Sequence, residues 1–116
     1  MRLFIADADR HLRVALQILL HQEPDMHVMG MAASAKRLVV QVEASQPDML
    51  LIDWNLPGMP VRDLLRGLQA LDTSPKLVVL SVRPEDESAA MAAGADVFIE
   101  KSNAPENLLE QLRTIS

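Results

Sequence analysis

Four apolar stretches of this chain end in side chains suited to handling charge. Residues 3–6 run into Asp7, with Ala8 and Asp9 behind it. Residues 49–52 run into Asp53, residues 77–80 into Ser81, and residues 97–99 into Glu100 and Lys101. A carboxylate at the end of an apolar strand costs folding energy unless water, a cation or a metal ion satisfies it. Asp53 admits two readings at this level: a cap for the loop that follows, as Asp commonly is at turns, or a working carboxylate. Two acids, a hydroxyl and an ammonium at four strand ends favour the second reading. An open parallel sheet binds its ligands beyond the carboxyl ends of its strands, where all four groups would lie.

That convergence requires an alternation of strands and helices, and the hydrophobic pattern supplies it. Five short apolar runs (3–6, 28–32, 49–52, 77–80 and 97–99) are separated by segments of helical period. Such alternation marks repeated β-α units around a parallel sheet, and nearly continuous apolar strands mark burial on both faces. Leu12, Leu16 and Leu19 predict a core stripe on a first helix between Asp9 and Pro24, and Val61, Leu64, Leu65, Leu68 and Leu71 a stripe on the third. The fourth helix spans 84–93, opening with Pro84, Glu85, Asp86 and Glu87 and stopping at Gly94. The last begins near Pro105, is capped from within 102–104, and buries Leu108, Leu109, Leu112 and Ile115. A second helix over 34–45 is weakened by the β-branched Val39, Val40 and Val42. Pro57, Gly58 and Pro60 make a loop of 54–60.

Composition bounds what such a fold can do. With 116 residues, 49% of them hydrophobic, the chain predicts one domain over 1–116 with a core of its own. The absence of cysteine excludes a disulfide framework, a cysteine zinc site and thiol catalysis. A net charge of -5, with eleven Lys and Arg spread thinly, offers no basic stripe for nucleic acid. Partners are expected to be proteins or small phosphorylated or cationic species. No apolar stretch approaches the ~20 residues of a membrane span, and residues 3–6 run straight into Asp7 rather than into a leader, so the expected location is the cytoplasm.

At this point the sequence resembles the receiver domain of two-component response regulators. The resemblance rests on Ile5-Ala6-Asp7, on Pro47-Asp48-Met49-Leu50-Leu51-Ile52-Asp53 leading into Leu56-Pro57-Gly58-Met59, on Val79-Leu80-Ser81, and on residues 94–101 from Gly94 to Lys101. Gly30, Ala32 and Lys101-Ser102 look most like the subfamily with a C-terminal helix-turn-helix effector. It implies a flavodoxin-like (βα)5 α/β fold, a doubly wound five-stranded sheet of order 2-1-3-4-5. It further implies that Asp53 accepts a phosphoryl group from a sensor histidine kinase or a small phosphodonor. Lys101 would supply a point charge and Ser81 a hydroxyl hydrogen bond, while Phe98 holds the family's switching-aromatic position without a tyrosine hydroxyl. Homodimerisation through the fourth helix, fifth strand and fifth helix is a further implied partner contact, and DNA binding would fall to an effector domain outside these residues.

The implied metal is Mg²⁺, held by Asp7, Asp53 and the backbone carbonyl of Asn55. Receivers usually carry two consecutive acids after the first strand, and here the second position is Ala8. Asp9 is the remaining nearby carboxylate, but it stands one residue late and suits a helix N-cap better than a ligand. Phosphorylation is therefore expected to be weak or metal-demanding, and a binding-only module without phosphorylation is the serious rival. A remoter one is a haloacid-dehalogenase-like phosphatase, through Asp7-Ala8-Asp9. Val82 stands where many receivers have a small residue beside the phosphoryl site; bulk there could restrict water and slow dephosphorylation, but core filling is the favoured reading. His11, His21 and His27 lack ligand spacing, Met26, Met29 and Met31 read as strand and core residues, and Arg10 and Arg13 as a solvated helix face.

Overall fold

Strands that contain only apolar residues need cover on both faces, and the chain provides it by winding helices on either side of one sheet. A computed structural model describes residues 1–101 and 105–115. Its elements are β1 (Arg2–Ala6), α1 (Arg10–His21), β2 (His27–Ala32), α2 (Leu38–Ser45), β3 (Met49–Asp53), α3 (Val61–Gln69), β4 (Lys76–Ser81), α4 (Glu87–Ala92), β5 (Val97–Glu100) and α5 (Pro105–Ile115). The strands are all parallel, in the order β2-β1-β3-β4-β5. Every residue of β3 is buried, as a central strand covered on both faces must be.

Alternation along each strand divides the core in two. Leu3, Ile5, Met49, Leu51, Val78, Leu80 and Ile99 face α1 and α5, where Leu16, Leu20, Leu108 and Leu112 meet them. Phe4, Ala6, Leu50, Ile52, Leu77 and Val79 face α2, α3 and α4, against Leu38, Leu64, Leu65, Leu68 and Ala90. At one to three kcal/mol for each fully buried aliphatic side chain (about 25 cal/mol per Å²), these two layers fix the sheet firmly enough to hold charged groups at its edge.

Several sequence expectations shift. The buried pair of α1 is Leu16 and Leu20, with Leu12 and Leu19 only half-buried. The second helix begins at Leu38 rather than 34, entered through Arg37 in the left-handed region (φ 66) without a side-chain cap, in keeping with its valine-rich start. The fourth splits into a 3-10 turn, Pro84–Asp86, and the short α4. Met29 lies exposed on the edge strand β2 instead of in the core, whereas Met26 is buried. Val82 is 61% exposed, which overturns its reading as core filling: it follows the last residue of β4, where the alternation ends. The predicted cap over 102–104 lies outside the described residues. His11, His21 and His27 are exposed, and among the described residues no helix is long and apolar enough to cross a membrane.

The edge strand β2 approaches closely because Gly30 has no side chain. A Cβ there would stand 2.6 Å from Cε2 of Phe4, next to the register shift between Leu3 and Phe4. Gly30→Ala is expected to destabilise the domain by about 1–3 kcal/mol through overpacking, and Phe4→Leu to return part of that loss. Urea unfolding of the two single variants and the double variant reads it; an unchanged midpoint in Gly30→Ala would refute the close packing.

Candidate functional site

The order β2-β1-β3 reverses the direction of winding between β1 and β3, and the loops leaving their carboxyl ends diverge there into a crevice. Asp7 and Asp53 stand at that point, one after β1 and one at the end of β3. Hydrogen bonds carry the ladder beyond the strands and hold the neighbouring backbone: Asp7 N–H to Ala32 O at 2.9 Å, Trp54 N–H to Leu80 O at 2.8 Å, and Lys101 N–H to Ser81 O at 2.7 Å.

The side chains converge as the sequence predicts for Asp7, Asp53 and Lys101. The Lys101 ammonium lies 2.6 Å from Oδ2 of Asp7 and 3.2 Å from Oδ2 of Asp53. All three are removed from bulk water, with Asp7 at 1% exposure, Asp53 at 7% and the Lys101 side chain at 12%. Both carboxylates also brace the turns behind them: Asp7 Oδ1 accepts from Asp9 N–H at 2.8 Å, and Asp53 Oδ1 from Asn55 N–H at 3.0 Å. Asp53 thus braces the loop that follows it, as the capping reading expects, and also pairs with Lys101.

Burial pushes the Asp7 carboxyl above its ordinary 3.8, and the nearby Asp53 charge adds to the rise; the Lys101 ammonium and the Asp9 amide oppose it without cancelling it. The ammonium is the partner of Asp7 Oδ2, at 2.6 Å. A buried carboxylate oxygen beside a second carboxylate fits a hard divalent cation. The fit is a reduced one, because Ala8 offers no oxygen from its side chain and, among the described residues, no three acidic or histidine side chains gather as a metal cluster.

Asp9 is turned away from this set. Its Oδ1 accepts from His11 N–H at 2.9 Å and from Leu12 N–H at 3.4 Å, capping α1. Asn55 follows Asp53 on the exposed loop. Ser81 is fully buried at the end of β4, but its hydroxyl is engaged: Oγ donates to Asp86 Oδ2 at 2.7 Å and accepts from Arg83 N–H at 3.1 Å. Phe98 is half-buried and packs against the core layer under α3 and α4.

Two contributors were not legible as such. Arg13 is not merely part of a solvated face, since its Nη1 donates to the backbone carbonyl of Asp7 at 2.6 Å. Asp86 reads in sequence as a helix-start acid, yet it makes no side-chain cap and instead holds Ser81. No local pattern announces either contact. Arg13 reaches back six positions, and Asp86 depends on the 3-10 turn that folds it toward β4.

A five-stranded doubly wound sheet with acids at its switch point and a lysine pairing them defines a flavodoxin-like α/β domain. Comparison with known proteins narrows the class: the model of the response regulator receiver domain matches residues 3–113, and the chain belongs to that family, the receiver domains of two-component response regulators. The nitrate/nitrite response regulator NarL of Escherichia coli K12 is 33% identical over 112 residues, 95% of this chain and 52% of that protein. The transcriptional regulatory protein DesR of Bacillus subtilis is 30% identical over 115 residues, 97% of this chain and 57% of the relative. The chain therefore spans about half the length of these relatives. Among solved structures, a LuxR-family DNA-binding response regulator from Staphylococcus aureus superimposes with TM-score 0.86 at 21% identity, covering 98% of this chain and 97% of that one. A CheY-like receiver domain from Methanospirillum hungatei gives 0.83 at 27% identity, covering 97% and 90%.

The raised Asp7 makes a stability prediction. Because its folded pKa lies above the unfolded 3.8, the native state binds the proton more tightly, and ionising Asp7 detracts from stability as pH rises through that window. In chelator-containing buffer, Asp7→Asn is expected to raise the thermal midpoint at pH 7, with the advantage fading as pH falls through the raised folded pKa and gone below about 4. A variant no more stable than the parent at pH 7 would contradict the burial penalty.

Proposed function

We propose that Asp53 is the phosphoacceptor of this receiver domain and that the phosphoryl group comes from the phosphohistidine of a sensor histidine kinase. The observation that carries the reading is the single ammonium of Lys101 in contact with both Asp7 and Asp53 in a site largely removed from bulk water. A carboxylate is a weak nucleophile, so the work of the site is positioning and charge neutralisation. An Asp53 oxygen attacks phosphorus, the P–N bond to histidine breaks, and the imidazole nitrogen retains the electron pair. Lys101 holds the Asp53 carboxylate in place before the attack and offsets charge on the phosphoryl oxygens after it. Ser81 is the hydroxyl within the site that can donate to one of those oxygens.

Mg²⁺ would be held by Asp7, Asp53 and the backbone carbonyl of Asn55, with water completing its shell, and when bound supplies positive charge beside the phosphoryl oxygens. Asp9 stays outside this set because its carboxylate caps α1. The missing acid at Ala8 lowers metal affinity, which makes this a metal-demanding receiver and keeps a binding-only module as the second reading. The phosphatase reading is set aside: in it Asp9 would be a general acid and Asp53 idle, whereas Asp9 caps a helix and Asp53 shares Lys101 with Asp7. The domain is a signalling element of the cytoplasm whose chemistry is confined to its own phosphorylation and dephosphorylation. Its output is transcriptional, through an effector domain, with α4, β5 and α5 as the face for pairing with a second copy.

Incubation with acetyl phosphate and Mg²⁺ is expected to add the mass of one phosphoryl group to the parent and none to Asp53→Ala. No addition to the parent at saturating Mg²⁺ selects the binding-only module, and addition to Asp53→Ala overturns the assignment. Trp54 adjoins Asp53, so its fluorescence reports metal binding: the parent is expected to bind Mg²⁺ more weakly than submillimolar, and Ala8→Asp to tighten it by tenfold or more, the gain of about one further charged ligand. Submillimolar affinity in the parent would show that Ala8 is no defect.

A further inference from the structure

Ser81 has one hydroxyl proton, and in this structure it is already given away. Its Oγ accepts the N–H of Arg83 at 3.1 Å, which fixes the direction of the remaining O–H, and that O–H points at Asp86 Oδ2, 2.7 Å distant. The bond is charge-assisted and lies beside a residue with no exposure to water, so it is stronger than an ordinary surface contact. Asp86 closes the 3-10 turn Pro84–Asp86 and stands at the N-cap position of α4, where an acid would normally accept from the helix N–H groups. It makes no such cap. The carboxylate is directed back toward β4, and the first turn leading into α4 is thereby tied to the hydroxyl.

We infer that Asp86 is a positioning residue that competes with the phosphoryl group for the Ser81 hydroxyl, acting as a latch that holds the domain in its resting state. The inference rests on the assignment of Asp53 as phosphoacceptor and adds to it the group that must be displaced. One proton cannot serve two acceptors, so Ser81 can donate to a phosphoryl oxygen only when the bond to Asp86 is broken. Breaking it leaves Asp86 free to cap α4 and releases the turn Pro84–Asp86 from β4. The exchange of one hydrogen bond for another then couples chemistry at Asp53 to the setting of α4, with the resting position favoured by the strength of the bond given up.

A double-mutant cycle on the full chain tests this in two readouts. The first needs no phosphoryl group: amide hydrogen exchange over residues 83–90 in the parent, Asp86→Ala, Ser81→Ala and the double variant. The latch predicts faster exchange in each single variant and no further increase in the double. Additive increases would overturn it. The second is the affinity for beryllofluoride, a mimic of the phosphoryl group, at saturating Mg²⁺. Asp86→Ala is expected to bind it roughly tenfold more tightly, the size of one charge-assisted hydrogen bond, and Asp86→Asn to fall between, since its amide oxygen still accepts. In the Ser81→Ala background the Asp86 substitution is expected to have no effect. A gain that persists there would reflect charge removal alone and would overturn the competition. Failure of the phosphoacceptor assignment looks different: no variant binds beryllofluoride, with the exchange cycle still non-additive, in which case the latch stands and its competitor is not a phosphoryl group.

Discussion

The arrangement depends on one ammonium placed against two buried carboxylates. Asp7 and Asp53 sit at the point where the sheet changes its direction of winding, and neither has enough water to carry its charge alone. Lys101 reaches both from the far side of β4, which is possible because its own N–H continues the β4–β5 ladder onto Ser81 O. Removing Lys101 leaves two buried carboxylates uncompensated, the kind of change that costs about 3–5 kcal/mol in buried pairs generally. The two apolar layers exist, in this sense, to hold three polar residues at a fixed spacing.

This dependence explains which features could be read from the sequence. Strand ends were legible because an apolar run such as Leu50-Leu51-Ile52 stops abruptly at a charge, and parallel order follows from alternation with helices. The convergence of Asp7, Asp53 and Lys101 follows from topology once that order is known. Side-chain direction was less accessible. Val82 follows Ser81 by one position, and the alternation that makes β4 buried gives no information once the strand has ended, so its exposure could not be anticipated. The α1 stripe was off by one residue, at Leu19 for Leu20, because Leu19 and Leu20 are both leucine and periodicity alone does not choose between them.

Hydrogen bonds that cross between elements were the least legible. Arg13 lies on a polar face of α1 in any helical projection, and only the backward reach of its long side chain brings it to the Asp7 carbonyl. Glu85, Asp86 and Glu87 look equivalent in sequence, as three acids at a helix start. The 3-10 turn that begins at Pro84 distinguishes them by tightening the chain so that only Asp86 faces β4. The geometry of the candidate site resides in the rotamers of a few residues, which local pattern does not encode.

The loss of an acid at position 8 changes the balance of the whole cluster. With a carboxylate there, three negative charges would face one lysine, and the metal-free domain would carry strong self-repulsion that only a bound cation relieves. With Ala8, two carboxylates face one ammonium, and burial rather than repulsion is the larger cause holding Asp7 above its ordinary pKa. The metal-free state is correspondingly better tolerated, so a cation bound there would relieve less. In the proposed Mg²⁺ set, weaker metal binding and a more stable metal-free domain would thus be two consequences of Ala8. If Asp53 accepts a phosphoryl group as proposed, the balance between the two states would then depend more heavily on uncharged and local contacts, among them the hydroxyl of Ser81.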